Sequence, residues 1–244
     1  YVAQDGDVYF DVRSFKAYGR LTHQNLETLY EAVRKHLSEH KKDALDFILW
    51  KRAKLGEPSW ESPWGLGRPG WHIECSAMAL TLLGSEIDVH GGGVDLKFPH
   101  HENEIAQAEC VTGQAFVNHW MHVGHVLVDD EKMSKSLGNF TTIRDVLSCH
   151  HAEVIRYMLL STHYRHPVNY TLASILGAKR ALVSLYHALE SVPIGMFDAG
   201  ECEEFYIAMS DDFNTPKALS VCFEYAKAVA RFQEIEPSRA GVLA

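Results

Sequence analysis

A thiol, an imidazole and a carboxylate, Cys75, His100 and Glu104, carry the donor set of a zinc site. Thiolate sulfur, imidazole nitrogen and carboxylate oxygen are common zinc ligands, and three of them leave a coordination position for water or substrate. His100 and Glu104 are four positions apart, which on a helix puts both on one face. The same residues also read as a solvated helix face and a small apolar cysteine, and no closed metal-ligand spacing decides between the two. A second candidate is the glycine run His90-Gly91-Gly92-Gly93-Val94-Asp95. Backbone without Cβ lets a ligand approach closely, and open α/β sheets bind ligands at the C-terminal ends of their strands. Asp95 offers an acceptor for ribose hydroxyls or an amino group. The run fits neither GxGxxG nor a P-loop, and a tight connection without a ligand is its other reading. The third is Lys132-Met133-Ser134-Lys135-Ser136, followed by Leu137-Gly138-Asn139. Two lysines on a glycine-ended loop can gather phosphate oxygens and stabilise charge on a phosphorus under attack. A solvated basic loop is the plainer alternative.

These side chains need elements to position them. Alternation around Asp5-Gly6 over residues 1–12 predicts a β-hairpin. Leu26, Leu29, Tyr30, Val33 and Leu37 share one face of a helix read from Thr22 to about Lys41. Residues 46–50 form a short apolar run ending in Lys51. Residues 56–70, with four Gly and three Pro, read as a loop carrying exposed Trp60 and Trp64. A helix over 70–83 would carry Cys75. A strand over 87–90 would run into a glycine turn, and Pro99 would open a helix over 100–110 carrying His100 and Glu104. A further strand is read over 123–128, with Trp120 and His122 just before it. That order suggests a parallel α/β layer.

From Ala152 onward the pattern is helical, with a stripe of Leu172, Ile175, Leu176, Leu182, Leu185, Tyr186 and Leu189. Thr215-Pro216 reads as an N-cap followed by proline at the first helical position, opening a helix with Leu219, Cys222, Phe223, Ala226 and Val229 inward. Neither an internal repeat nor a low-complexity tract interrupts this layout.

Composition narrows the classes. The chain has 244 residues, 46% of them hydrophobic, enough for one large or two modest domains. Its net charge of -9 argues against general nucleic-acid binding but leaves room for a local basic patch. Five scattered cysteines without a CxxC pair do not make a disulfide framework and point to a reducing, cytosolic compartment. No apolar run reaches the length of a membrane span, and no signal peptide opens the sequence. The first residues, Tyr1-Val2-Ala3, lack Met and lie inside what reads as a strand, so the expectation is a piece of a longer chain.

Together, GWHIECSAM at 70–78, DVHGGG at 88–93, FPHHENEIAQ at 98–107 and KMSKSLGNF at 132–140 closely resemble cysteinyl-tRNA synthetases, as do GEPSW at 56–60 and DDFNTP at 211–216. KMSKS is the signature loop of class I aminoacyl-tRNA synthetases. The resemblance implies an α/β fold: the second half of a Rossmann-type catalytic core with an inserted connective peptide, followed by an all-α helical bundle. It implies a connective-peptide insertion at 1–55, the second half of the core with the KMSKS loop at 56–165, and a helical stem with the start of an anticodon-binding domain at 166–244. By that resemblance Cys75, His100 and Glu104 are three of four zinc ligands, the fourth being a cysteine just before the family's HIGH motif. Trp71 and His90 line the cysteine pocket. Gly92, Gly93 and Asp95 lie along the adenylate. Lys135 binds ATP phosphates, supported by Lys132.

The implied reaction joins L-cysteine to tRNA(Cys) with ATP and Mg2+, one zinc per chain, in a cytoplasmic monomer. A soft thiolate outcompetes a serine hydroxyl on zinc, so no editing domain is required, and none is read here. His101 reads as a helix-face residue or a support for the ligands, and Cys110, Cys149, Cys202 and Cys222 as ordinary small apolar residues. No HIGH motif occurs among these residues. Two rival readings follow: a mycothiol-pathway cysteine ligase acting on an amino sugar, and a non-catalytic zinc-binding paralogue or fragment.

Overall fold

The computed structural model describes residues 1–33, 40–134, 136–190, 192 and 199–235, so Leu37 and Lys135 lie outside the described residues. The chain divides into two compact units, Tyr1–His122 and Val123–Ala244.

In the first unit the expected hairpin forms. Val2 bridges antiparallel to Val8 across a turn in which Gly6 has φ +89°. Strand β1 (Val8–Phe10) pairs antiparallel with β2 (Phe47–Arg52), and β2 with β3 (Gly67–Pro69). Strand β3 forms inside the stretch read as a loop, where Gly67 pairs back to Trp60; Trp60 and Trp64 are exposed as read. Helix α1 (Leu26–Val33) starts later than the periodicity suggests, because Asn25 caps it: its Oδ1 accepts the Thr28 amide at 2.8 Å. Val12, Tyr18, Leu29, Leu45 and Phe47 bury their side chains together with Ala106 of the next layer.

That layer is α2 (Trp71–Leu82), β4 (Ile87–Gly93), α3 (Glu102–Thr112) and β5 (Val117–Val123), with β4 hydrogen-bonded to β5. The glycine run is not a turn: Gly91 to Gly93 continue β4, and a 3-10 turn over Val94–Leu96 follows. The helix read from Pro99 is preceded by a π-helical turn, Lys97–His101, in which Phe98 is extended. The strand read over 123–128 is the last residue of β5 and all of β6 (Val126–Val128), broken at Gly124. A Cβ there would lie 2.3 Å from the His166 carbonyl oxygen, so only glycine fits.

The first turn of α3 is buried although it is polar, and each side chain has a task. Glu102 is fully buried and accepts the Gly19 amide at 2.8 Å and the Thr22 amide at 3.2 Å. Asn103 accepts the Tyr18 hydroxyl. These bonds tie the loop after β1 to α3. Burial pushes the Glu102 carboxyl up, against the pull of its amide donors. Glu102→Ala strands those amides, and a loss of about 2 kcal/mol is expected. Denaturant unfolding measures it; an unchanged midpoint would remove Glu102 from this role.

In the second unit β6 pairs antiparallel with β7 (Glu131–Lys132) and parallel with β8 (Val168–Tyr170). Strand β8 lies where the pattern read as wholly helical. Helices α4 (Ile143–Cys149), α5 (Ala152–Leu160), α6 (Leu172–Leu189), α7 (Glu203–Ser210) and α8 (Thr215–Ile235) make up the rest of its described elements of any length. Val154 and Met158 of α5 pack with Ile175 and Ala178 of α6, while Leu172 and Leu176 of the expected stripe stay exposed. The cap of α8 is Asn214 rather than Thr215: its Oδ1 accepts the Lys217 amide at 3.2 Å.

Beside that cap, Arg165 Nε donates to Asp212 Oδ2 at 2.5 Å and the Tyr164 hydroxyl to Oδ1 at 2.6 Å. These bonds, the arginine's first, hold the Asp212 carboxyl at about 2. A carboxyl depressed by folding contributes stability above its unfolded pKa of about 4 and loses it as pH falls through the folded value. An NMR titration is expected to place the Asp212 midpoint near 2. A midpoint at the ordinary aspartate value would show that the pair does not persist in solution.

Candidate metal centre

Five elements of the first unit converge on one buried polar cluster. Helix α2 brings Trp71, His72 and Cys75 on its first turn and a half. The π-helical turn and α3 bring His100, His101 and Glu104. Strand β4 brings His90, and β5 brings Trp120 and His122 on alternate positions, hence on one face. Gln107 Nε2 donates to Ser76 Oγ at 3.3 Å, fastening α3 to α2 beneath the cluster.

Cys75, His100 and Glu104 come together as the spacing suggested: their ligand atoms lie within 4.8 Å of one another. Glu104 is 0% exposed and His100 5%, so neither is the solvated helix face of the plainer reading. His100 Nε2 is 2.6 Å from Glu104 Oε1, and His90 Nε2 is 3.4 Å from Oε2. Yet neither carboxylate oxygen has a hydrogen-bond partner with donor geometry among the described residues. The lone pairs converge on shared space instead of meeting an aligned N–H. A buried carboxylate so placed is costly unless a cation neutralises it. With a thiol and an imidazole beside it, this donor set fits zinc.

The electrostatics agree. Burial pushes Glu104 up to about 7 and lowers His100, with His90 adding to the effect on His100. Burial also raises the Cys75 thiol, helped by Glu104 and Glu74. A divalent cation reverses the upward shifts of Glu104 and Cys75 and reinforces the downward shift of His100, because it favours thiolate, carboxylate and neutral imidazole together.

The residues around this triad were only partly visible in the pattern. His101, read as a helix-face or supporting residue, is 1% exposed, and its Nδ1 lies 2.9 Å from His122 Nε2. Burial lowers it to about 3, with His90, His122 and His100 adding to the shift. With His90 and Glu104 it makes a second group of ligand atoms within 4.8 Å. His72, not singled out from its spacing, places Nδ1 2.8 Å from His100 Nδ1. Burial, then His100, lowers it to about 4. If His100 ligates through Nε2, its Nδ1–H donates to His72, the kind of contact that orients a metal-bound imidazole. Trp120 packs at 4.7 Å from the His90 ring and 4.9 Å from His101. The i, i+2 repeat of Trp120 and His122 was the signal that could have placed them.

Trp71 stands over the imidazoles, 4.7 Å from the His100 ring, and is 62% exposed, so it forms a wall rather than core. Gly92 is required by packing: a Cβ would lie 2.8 Å from His101 Cε1. The Asp95 carboxylate folds back over the Cα of Gly93, and Asp95 is exposed on the turn after β4.

In the second unit, Lys132 is exposed at the end of β7. The loop that follows is strapped by Asn139. Its Oδ1 accepts the Ser134 amide at 2.9 Å and its Nδ2 donates to the Lys132 carbonyl at 3.3 Å. Gly138 turns the loop at φ +69°. The pattern did not suggest that strap.

The chain belongs to the family of class I (C) tRNA synthetase catalytic domains, whose model matches residues 1–180, and a DALR domain matches 204–244. The Cysteine--tRNA ligase of Hydrogenovibrio crunogenus is 58% identical over 232 residues, 94% of this chain and 51% of that protein. That of Alkalilimnicola ehrlichii is 56% identical over 238 residues, 96% of this chain and 52% of that protein. That of Chromohalobacter salexigens is 54% identical over 246 residues, 100% of this chain and 53% of that protein. The chain therefore spans about half the length of the curated relatives it matches. Among solved structures, the LeuRS of Agrobacterium radiobacter K84, in a ternary complex with tRNA and LeuAMS, is similar in fold. Its TM-score is 0.57 at 16% identity, covering 76% of this chain and 31% of that one.

Proposed function

We propose that the protein is a cysteine–tRNA ligase that activates L-cysteine with ATP and transfers it to tRNA(Cys). The observation that carries this is the convergence of Cys75, His100 and Glu104 around a carboxylate without a hydrogen-bond donor, in a chain whose relatives bear that name. Bound by these three residues, zinc supplies a borderline-soft Lewis acid on which a thiolate outcompetes a hydroxyl. Trp71 and His90 wall the amino-acid pocket, exclude water from it and orient the side chain. Gly92 and Gly93 present backbone to the adenylate, and Asp95 accepts from its hydroxyl or amino groups. Lys135, with Lys132, binds the ATP phosphates, which arrive with Mg2+.

The reaction has two steps. The cysteine carboxylate attacks the α-phosphorus and pyrophosphate leaves. A hydroxyl of the terminal ribose of the tRNA then attacks the carbonyl, and AMP leaves. Positioning and charge stabilisation carry most of the rate. In this reading residues 1–55 are a connective-peptide insertion, 56–165 the second half of a Rossmann-type core, and 166–244 a helical stem leading to anticodon-binding helices. The protein acts as a cytoplasmic monomer; none of the described helices is long and apolar enough to cross a membrane.

Cysteine-dependent ATP–pyrophosphate exchange and charging of tRNA test the proposal in the full-length protein. Product on an amino sugar and none on tRNA would overturn it in favour of the mycothiol-type ligase. Neither product, with zinc bound, would leave the non-catalytic reading.

A further inference from the structure

Beside the metal centre, β2, β3 and the start of α2 enclose a cleft of about 320 Å³ that includes Lys41, Lys51 and Arg68 with Trp71 and His72 in its wall. Its charge is unusual for a protein of net charge -9. Lys51 and Arg68 are direct cross-strand partners in the β2–β3 register, so their side chains leave the sheet on the same face. Like charges held opposite each other repel, and nothing in the strand pairing requires them. Among the described residues Lys51 has no carboxylate partner. Arg68 has one, Glu57 at 3.6 Å, and Lys41 donates to the Ala44 carbonyl at 3.5 Å. One exposed tryptophan, Trp71, stands in the wall of the same cleft and is 62% exposed.

We propose that this cleft binds a backbone phosphate of the single-stranded 3′ end of the RNA substrate, with Lys51 and Arg68 as its principal cations. Cations that track the backbone beside an aromatic face are the recognition chemistry of single-stranded nucleic acid. Phosphate contacts of this kind set register without reading sequence. The cleft shares Trp71 and His72 with the metal centre, so a strand held there ends beside the amino-acid pocket. A protein acidic overall would concentrate its RNA contacts on such a local patch. The inference rests on the ligase reading and adds to it the surface that receives the acceptor end.

The test uses the full-length protein and the variants Lys51→Ala, Lys51→Glu and Lys51→Arg. Cysteine-dependent pyrophosphate exchange needs no RNA and is expected to stay within about twofold of the parent, which also reports correct folding. The KM for tRNA in charging is expected to rise about tenfold in Lys51→Ala, further in Lys51→Glu, and to return towards the parent value in Lys51→Arg. Removing one phosphate contact also lowers the slope of log affinity against log salt by about 0.7, the single-strand value. An unchanged KM and salt slope in Lys51→Glu would overturn the proposal. So would a raised KM for ATP with normal tRNA kinetics, which would give the cleft to the nucleotide.

If the parent shows no exchange at all, the ligase reading fails on its own. The cleft is then judged by binding of an RNA hairpin with and without a four-nucleotide 3′ tail. Tail-dependent affinity lost in Lys51→Glu supports the cleft, and tail-independent affinity overturns it.

Discussion

Cys75→Ser in the full-length protein is expected to lose most of its zinc during dialysis against a mild chelator, while the fold survives. Changing a residue that merely orients a metal ligand costs 10- to 100-fold in affinity. Replacing the one soft ligand of the described triad is expected to cost about 100-fold or more. The fold should persist because Cys75 is only half-buried on α2, whereas the packing of that layer rests on Ile87, Ala108 and Phe116. Elemental analysis against protein concentration, with circular dichroism as the control for folding, measures it. Full zinc occupancy in the variant would remove Cys75 from the ligand set. Preference for cysteine over serine should fall in parallel, because a hydroxyl competes poorly only where a soft metal is present.

Lys135→Ala is expected to slow adenylate formation by about 10²- to 10³-fold, the usual loss when one preorganised charge-stabilising donor is removed from a transition state. Cysteine affinity should stay within about twofold, since the proposed amino-acid pocket draws on residues of α2, β4 and α3, remote in sequence from this loop. Rapid-quench measurement of pyrophosphate release separates the two. An unchanged single-turnover rate would refute the assignment. A comparable loss in cysteine binding would mean that the lysine supports the fold of the loop instead. Asn139→Ala offers a contrast within the same loop. It cuts the strap between Ser134 and Lys132 without touching a charge, so its effect on rate should be smaller than that of Lys135→Ala.

Much of the candidate site was legible because its chemistry is local. His100 and Glu104 are four apart, and one helical turn suffices to bring them within reach. Cys75 could be proposed because helix α2 lies within the stretch read as a helix, 70–83. The lysine loop was legible as a string of residue types. The errors were of another kind. The glycine run was read as a turn because glycine is the usual turn residue. It is strand because β4 pairs with β5, and Gly92 is glycine because the His101 ring occupies the space a Cβ would need; both reasons exist only across the fold. Thr215 was read as a cap where Asn214 does the capping, a shift of one residue that pattern alone resolves poorly. Strand β8 was missed because three residues carry too little periodicity to register.

The sequence by itself determined the donor types, the helical spacing of His100 and Glu104, the order of helix and strand around them, and the motifs shared with class I synthetases. Those properties depend on covalent neighbours and on the 3.6-residue turn. The tertiary structure decided what no local pattern encodes. It buried Glu104 without a hydrogen-bond donor, set His72 against His100 and His122 against His101, and used Glu102 to bind the loop after β1 to α3. It also put Lys51 opposite Arg68, seventeen residues away in the chain. Each of these is a contact between segments distant in sequence. Such contacts form only when separate apolar faces are buried together, and that burial, not the spacing of residues, sets which polar groups meet.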